Sequence, residues 1–164
     1  MSDWDASFLN KALLGRSHRA EVCVRRIQEL ISETKSLLKI PKNYEVAIVG
    51  GSDTGAFEMS MWSLLGSREI DILAWDAFGR DWCTDVIDQL KIKNTNILEA
   101  DYGSLPNLDK VNFDKDVIFT WNGTTAGVKI PNGDWIKENR TGLTLCDATS
   151  AVLAMDIPWN KLDV

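Results

Sequence analysis

The sequence has few of the residues that build metal sites or disulfide frameworks. Its 164 residues include three cysteines and a single histidine. The cysteines, Cys23, Cys83 and Cys146, are far apart, odd in number and form no CxxC pair. A zinc site needs four close ligands of these types, so we expect no metal site in this chain. Unpaired thiols of this kind are typical of a reducing compartment and indicate a cytoplasmic protein.

The chain also has no excess of basic residues and no long apolar run. Its formal net charge is −6 and its isoelectric point is about 4.8, whereas a nucleic-acid or anionic membrane partner requires a basic face. No apolar stretch approaches the roughly 20 residues that cross a bilayer. The N-terminus, Met1-Ser2-Asp3-Trp4-Asp5, is acidic and lacks the apolar core of a secretory signal. We therefore expect no nucleic-acid partner and no membrane association.

What is present is an alternation of predicted helices and strands. A composition of 45% hydrophobic and 26% charged residues is that of an ordinary globular domain. The apolar periodicity predicts helices at 4–15, 20–38, 56–65 and 81–90, and strands at 46–49, 70–75, 95–100, 116–121 and 142–147. The pattern predicts that the 20–38 helix has one buried face and that the 56–65 helix is buried on nearly every side. Strands separated by helices or long crossovers predict an α/β fold with a mainly parallel sheet, in one partial domain over residues 1–164.

The glycine-rich stretch between the first predicted strand and its helix is the strongest local signal. Val46 to Val49 are apolar and mostly β-branched, which predicts a strand covered on both faces. Gly50, Gly51 and Gly55 allow the backbone to approach a ligand closely. Ser52, Asp53 or Thr54 could cap the following helix, whose N-terminus would attract an anion. The loop predicts a site for a phosphorylated small molecule.

Two functions are consistent with this pattern. Ligands of open α/β sheets bind beyond the carboxyl ends of the strands, where the loops at 50–55, 76–82, 122–127 and 147–150 would meet. In a methyltransferase, Asp76 would hold a ribose, and Glu99-Ala100-Asp101-Tyr102 would form the next cofactor turn. In a pyridoxal-phosphate enzyme, Asp147 would keep the ring nitrogen protonated. The 50–55 loop would then hold the phosphate, and Trp82 would supply the aromatic plate.

Seven motifs together distinguish the two functions. In chain order they are Ser17-His18-Arg19, Pro41-Lys42-Asn43-Tyr44, residues 51–57, Trp62-Ser63-Leu64-Leu65-Gly66, Ala100-Asp101-Tyr102-Gly103, residues 119–125 and Cys146-Asp147-Ala148-Thr149-Ser150-Ala151. Over nearly the whole chain this set resembles phosphoserine aminotransferase. The resemblance implies a three-layer α/β/α fold that is part of the large domain of the fold-type-I pyridoxal-phosphate transferases. It also implies pyridoxal 5′-phosphate as cofactor, and a parent enzyme that transfers an amino group between phosphoserine and 2-oxoglutarate in serine biosynthesis.

The resemblance also implies roles for individual residues. Asp53 and Thr54 would contact the cofactor phosphate through their backbone, and Trp82 would stack on the pyridine ring. Thr124 would touch the polar edge of the ring, and Asp147 would pair with its nitrogen. A carboxylate beside a phosphate is repulsive, so Asp53 would have to turn its side chain away, for example to cap the helix. His18 and Arg19 would bind a substrate carboxylate or phosphate near the subunit boundary of a homodimer.

One part of the family pattern is missing from this sequence. The lysine that forms the Schiff base follows the matched region in the family, and none of the lysines here occupies its position. We therefore expect a fragment without the C-terminal domain that has no catalytic residue of its own and is inactive alone. The alternatives are a lysine-less domain of the same fold that binds a phosphorylated ligand and, with less support, an S-adenosylmethionine-dependent methyltransferase.

Overall fold

The computed structural model describes residues 5–164. The acidic N-terminal motif and the start of the predicted 4–15 helix lie partly outside this range. The chain divides into two compact units, Met1–Ala47 and Ile48–Val164. No helix in the described part of the chain is long and apolar enough to cross a membrane.

The first unit contains one long helix. A 3₁₀ helix, Ala6–Lys11, precedes α1, Glu21–Leu37. The prediction of this long helix is confirmed, but the prediction of a buried face is wrong, because none of its residues is buried. Ile27 is 38% exposed and Leu30 is 51% exposed. Helical periodicity identifies the face that would be buried, but another element has to cover that face, and none does so within this unit.

The second unit is built on a parallel sheet. Its strands are β1, Ile70–Ala74; β2, Thr95–Glu99; β3, Asp116–Thr120; and β6, Thr144–Asp147. They lie in the order β2-β1-β3-β6, and all three neighbouring pairs are parallel. The predicted α/β class with a mainly parallel sheet is confirmed. A separate antiparallel ribbon pairs β4, Asn122–Gly123, with β5, Val128–Lys129.

Every residue of β1 and β3 is buried, so alternate side chains of these strands fill two cores. On one face, Ile72 and Ile118 pack with helix α2, Asp53–Leu64, and helix α3, Ala77–Thr84. A π-helical turn, Asp85–Gln89, continues α3. On the other face, Leu73 and Phe119 pack against connecting segments, among them the 3₁₀ helix Leu108–Lys110 and the residues on either side of a second 3₁₀ helix, Trp159–Lys161.

Two predictions about the 46–49 segment and helix α2 are wrong. Residues 46–49 do not form a strand, and Ile48 is 59% exposed and Val49 is 37% exposed. A β-branched run becomes a strand only when a neighbouring strand pairs with its backbone, and none in the described chain does so. Helix α2 is not buried on all sides either. Phe57 and Met61 face the core, whereas Trp62 is 64% exposed.

Candidate functional site

A cleft opens at the carboxyl end of the sheet, at the point where the strand order reverses. From β1 the chain crosses to β2 on one side, and from β3 it crosses to β6 on the other. Crevices at such switch points are the usual ligand sites of open α/β sheets. The cleft has a volume of about 140 Å³. It is lined by Asp53, Phe78, Thr120, Asn122, Thr124, Asp147, Thr149 and Ser150.

Asp147, the last residue of β6, is held by three hydrogen bonds. The backbone N–H of Thr149 donates to Oδ1 at 3.0 Å, and the Thr149 hydroxyl donates to the same oxygen at 2.7 Å. The indole N–H of Trp82 donates to Oδ2 at 3.2 Å. Oδ1 thus accepts two bonds and Oδ2 accepts one, which fixes the carboxyl group at the wall of the cleft and leaves Oδ2 able to accept a further bond from a ligand.

Trp82 lies beneath the cleft. Its side chain is 3% exposed, and its ring packs on Phe57 with the centroids 4.8 Å apart. Its indole N–H is bonded to Asp147, so Trp82 supports the carboxyl group, and its buried ring is not part of the cleft lining. The aromatic side chain that does line the cleft is Phe78, which is 41% exposed and sits in the first turn of α3.

Sequence reasoning missed Phe78, because the predicted helix began at residue 81. The signal that could have found it is Asp76. This carboxylate accepts a hydrogen bond from the Gly79 N–H at 2.9 Å and therefore caps a helix that begins at Ala77. An earlier start places Phe78 soon after the carboxyl end of β1, in the lining of the cleft.

The capping role also argues against the methyltransferase interpretation of Asp76. The side chain is completely buried, and besides Gly79 it contacts Thr125, whose hydroxyl lies 3.4 Å from Oδ2. Thr125 in turn accepts a bond from the Ala77 N–H at 3.1 Å. Asp76 thus joins the loops that follow β1 and β3, and it is not available to hold a ribose.

The glycine loop reaches the cleft at Asp53, the first residue of α2. Gly51 has φ +99°, a conformation that glycine adopts without strain, and it turns the chain into α2. Ser52 caps this helix by accepting the Gly55 N–H at 3.3 Å, so the suggestion that Asp53 does so is wrong. The N–H groups of Asp53 and Thr54 precede the first helical hydrogen bond and can donate to an anion. The Asp53 side chain lines the cleft, whereas Thr54 does not belong to its lining.

The charge and polarity of the cleft are unusual for an anion site. None of the described residues that line it is a lysine or an arginine, and it contains two carboxylates, Asp53 and Asp147. The other polar groups of the lining are hydroxyl and amide groups. The Thr124 and Ser150 hydroxyl oxygens are 2.8 Å apart, and Ser150 donates to the side-chain amide oxygen of Asn122, Oδ1, at 3.1 Å.

The predicted site residues are thus only partly brought together. Asp53, Thr124 and Asp147 share one cleft, and Trp82 supports it from below. His18 and Arg19 lie in the first unit, in an exposed turn where the Arg19 N–H donates to the Ser17 hydroxyl at 3.2 Å. The cysteine beside Asp147 takes no part in the site, because burial and the neighbouring carboxylate raise the pKa of Cys146 well above its usual value and keep the thiol neutral.

Comparison with known proteins identifies relatives that match more than nine tenths of the chain. The chain is 57% identical over 156 residues to phosphoserine aminotransferase from Methanosarcina mazei. This match covers 95% of the chain and 42% of the relative. It is 58% identical over 150 residues to phosphoserine aminotransferase from Methanosarcina barkeri, a match that covers 92% of the chain and 40% of that relative. The resemblance to the phosphoserine aminotransferases is confirmed. The chain spans about two fifths of the length of these phosphoserine aminotransferases, and no profile of a known protein family matches it.

Solved structures agree on the fold. A phosphoserine aminotransferase from Cytophaga hutchinsonii superimposes with a TM-score of 0.82 at 22% identity, covering 96% of this chain and 44% of that one. A pyridoxal-phosphate-bound phosphoserine aminotransferase from Trichomonas vaginalis has a TM-score of 0.64 at 15% identity, covering 90% and 42%. The predicted likeness to the fold of pyridoxal-phosphate aminotransferases is therefore confirmed.

Proposed function

We propose that the cleft binds pyridoxal 5′-phosphate, with the ring between Phe78 and the carboxyl ends of β3 and β6. The observation that carries this proposal is Asp147, whose carboxyl group is fixed by three donors at the wall of a cleft with an exposed aromatic side chain. A carboxylate held in this way can pair with a protonated pyridine nitrogen. When bound, the cofactor supplies an electron sink for the carbon that carries the amino group.

The other end of the cleft suits the phosphate group. The N–H groups of Asp53 and Thr54 would donate to the phosphate oxygens, with the dipole of α2 behind them. The Thr124 side chain, at the opposite wall, would contact the polar edge of the ring. Phe78 takes the stacking role that the sequence suggested for Trp82, because Phe78 lines the cleft and Trp82 is buried.

The reaction proposed for the whole protein is that of its relatives. The 57% identity to a phosphoserine aminotransferase supports an amino transfer between O-phosphoserine and 2-oxoglutarate, with glutamate as the other amino acid. We also propose that the whole protein acts in serine biosynthesis as a cytoplasmic homodimer. Within it, His18 and Arg19 would bind a carboxylate or phosphate group of the substrate. The Arg19 guanidinium suits this role, because it can donate two parallel hydrogen bonds to either group.

We expect no transamination from this chain alone. A lysine beside the cofactor would be needed to hold it covalently and to move a proton at the reacting carbon. No lysine is among the described residues that line the cleft. The chain would therefore bind pyridoxal 5′-phosphate reversibly.

The test is a titration of the chain with pyridoxal 5′-phosphate, followed by tryptophan fluorescence and by the shift in melting temperature. We expect saturable binding, at least about 10-fold weaker in Asp147→Asn, because that variant keeps the shape but loses the charge that pairs with the ring nitrogen. Asp134→Asn, a change in a loop outside the cleft lining, is the matched control and should bind like the unchanged chain.

Two results would contradict the proposal. One is equal affinity of the cofactor for the unchanged chain and for Asp147→Asn. The other is saturable binding of S-adenosylmethionine in place of pyridoxal 5′-phosphate, which would favour the methyltransferase alternative.

A further inference from the structure

Three polar side chains on one wall of the cleft form a chain of hydrogen bonds. Thr124 and Asn122 lie in the segment after β3, and Ser150 lies in the turn after β6. The Ser150 hydroxyl is between the other two, 2.8 Å from the Thr124 hydroxyl oxygen and 3.1 Å from Oδ1, the carbonyl oxygen of the Asn122 side-chain amide. All three residues line the cleft, so the direction of the hydrogen bonds between them decides which of these groups can donate to a ligand and which can accept from it.

The carbonyl oxygen at one end determines the direction of this chain. A carbonyl oxygen can only accept, so the Ser150 proton is committed to Asn122. The contact between Thr124 and Ser150 then requires the Thr124 proton, because a hydroxyl has one proton to give. Thr124 is left with free lone pairs and no free proton, which makes it an acceptor toward the cleft.

We infer that Ser150 is a positioning residue that acts on the ligand through Thr124. This inference rests on the proposed function and extends it. Ser150 prevents the Thr124 hydroxyl from rotating and holds it ready to accept a bond from a donor on the ligand, such as a hydroxyl or ammonium group. A hydroxyl that is already oriented loses less rotational freedom when the ligand binds.

The experiment is a double-mutant cycle on the full chain with pyridoxal 5′-phosphate as ligand. Ser150→Ala should weaken binding by about 2- to 10-fold, the range of one neutral hydrogen bond. It should leave the melting temperature of the free chain unchanged, because Ser150 is exposed. In a Thr124→Val background, Ser150→Ala should not weaken binding further, because the Thr124 hydroxyl through which Ser150 acts on the ligand is already absent.

Two further variants sharpen the cycle. Ser150→Thr keeps the hydroxyl and should bind within about 2-fold of the unchanged chain, one neutral hydrogen bond being retained. Ser104→Ala, an exposed serine outside the cleft lining, is the control and should change neither affinity nor melting temperature.

The outcomes separate this inference from the proposed function. Additive effects of the two substitutions would overturn the inference, because they would mean that Ser150 touches the ligand independently of Thr124. Unchanged affinity in Ser150→Ala would overturn it as well. If the unchanged chain fails to bind pyridoxal 5′-phosphate at all, the proposed function and the inference both fall.

Discussion

Two short apolar stretches of this chain have similar sequences and different fates. Ile70 to Ala74 form strand β1, in which Ile72 is completely buried. Residues 46–49 are as apolar and more β-branched, yet they form no strand, and Ile48 is 59% exposed. Strand β1 is paired on both sides, with β2 and with β3. Burial of such a stretch is therefore decided by the neighbouring strands and is not encoded in the stretch itself.

The largest loss of stability that tests this contrast should come from replacing a glycine by alanine. A Cβ at Gly142, just before β6, would lie 1.7 Å from the carbonyl oxygen of Lys115 and 2.2 Å from its carbonyl carbon, and these backbone atoms leave it no space. We expect Gly142→Ala to lower the free energy of unfolding by about 4 kcal/mol or more, or to prevent folding. Urea unfolding followed by tryptophan fluorescence measures the change.

The matched substitution in the exposed stretch is Gly50→Ala. A Cβ there meets no atom within 4 Å. We expect stability within about 0.5 kcal/mol of the unchanged chain. A comparable loss in both variants would mean that residues 46–50 are as tightly enclosed in solution as the start of β6.

The second comparison uses two isoleucines, Ile72 in β1 and Ile48 in the exposed stretch. Ile72→Ala removes completely buried methylene and methyl groups and should cost about 3 kcal/mol. Ile48→Ala should cost less than about 0.5 kcal/mol, because the side chain already contacts water. Equal losses in urea unfolding would show that the 46–49 stretch is covered in the folded state after all.

A smaller effect should appear in alkaline solution. Burial, with a contribution from Glu99, raises the pKa of the Cys83 thiol to about 11, from 9.0 for an exposed thiol. The stability that depends on the neutral thiol is complete below pH 9 and is lost as the pH rises through 11, because the unfolded chain ionises first. Between pH 9 and pH 11 we expect a loss of about 2 kcal/mol.

Cys83→Ala distinguishes this thiol from other groups that ionise in the same range. Its free energy of unfolding should fall less steeply between pH 9 and pH 11 than that of the unchanged chain. Part of the slope should remain, because Cys146 is also buried and the pKa of its thiol is also raised. An identical slope in both proteins would mean that Cys83 is open to solvent.

The smallest effect concerns two buried threonines of the sheet. The Thr120 hydroxyl is enclosed and has no hydrogen-bond partner, whereas the Thr144 hydroxyl donates to the Lys161 carbonyl oxygen at 2.9 Å. Thr120→Val should raise the free energy of unfolding by about 1 kcal/mol, and Thr144→Val should lower it by a similar amount. Changes of the same sign in thermal unfolding would contradict this assignment.

The sheet was predictable from the sequence because its signal is local and strong. The predicted strands 70–75 and 116–121 differ by one residue from Ile70–Ala74 and Asp116–Thr120. The rule that ligands bind beyond the carboxyl ends of parallel strands also predicted that Asp147 and the 122–127 loop lie close together, whereas the choice of Thr124 within that loop came from the resemblance. The aromatic side chain that lines the cleft could not be predicted, because the exposure of Phe78 in the cleft depends on where α3 begins. That start is set by the Asp76 cap and the Thr125 contact across two loops.

The exposed faces were mispredicted for a related reason. The apolar periodicity of α1 is real, but no residue of this helix is buried. The apolar side chains of a helix show which face a neighbouring element could cover. Whether such an element is present cannot be read from the periodicity of the helix itself. The same reasoning applies to Trp62 in α2, which is apolar and 64% exposed.

The two carboxylates of the cleft have a consequence for ionic strength. A phosphate bound by backbone N–H groups beside Asp53 experiences a repulsion that no lysine or arginine in the described lining offsets. At about 0.1 M salt the screening length is roughly 10 Å, so salt chiefly weakens the longer-range repulsion between the phosphate and the net charge of −6 on the chain. Added neutral salt should therefore strengthen the binding of a phosphorylated ligand to this chain, whereas salt weakens binding wherever a cationic pocket holds the phosphate.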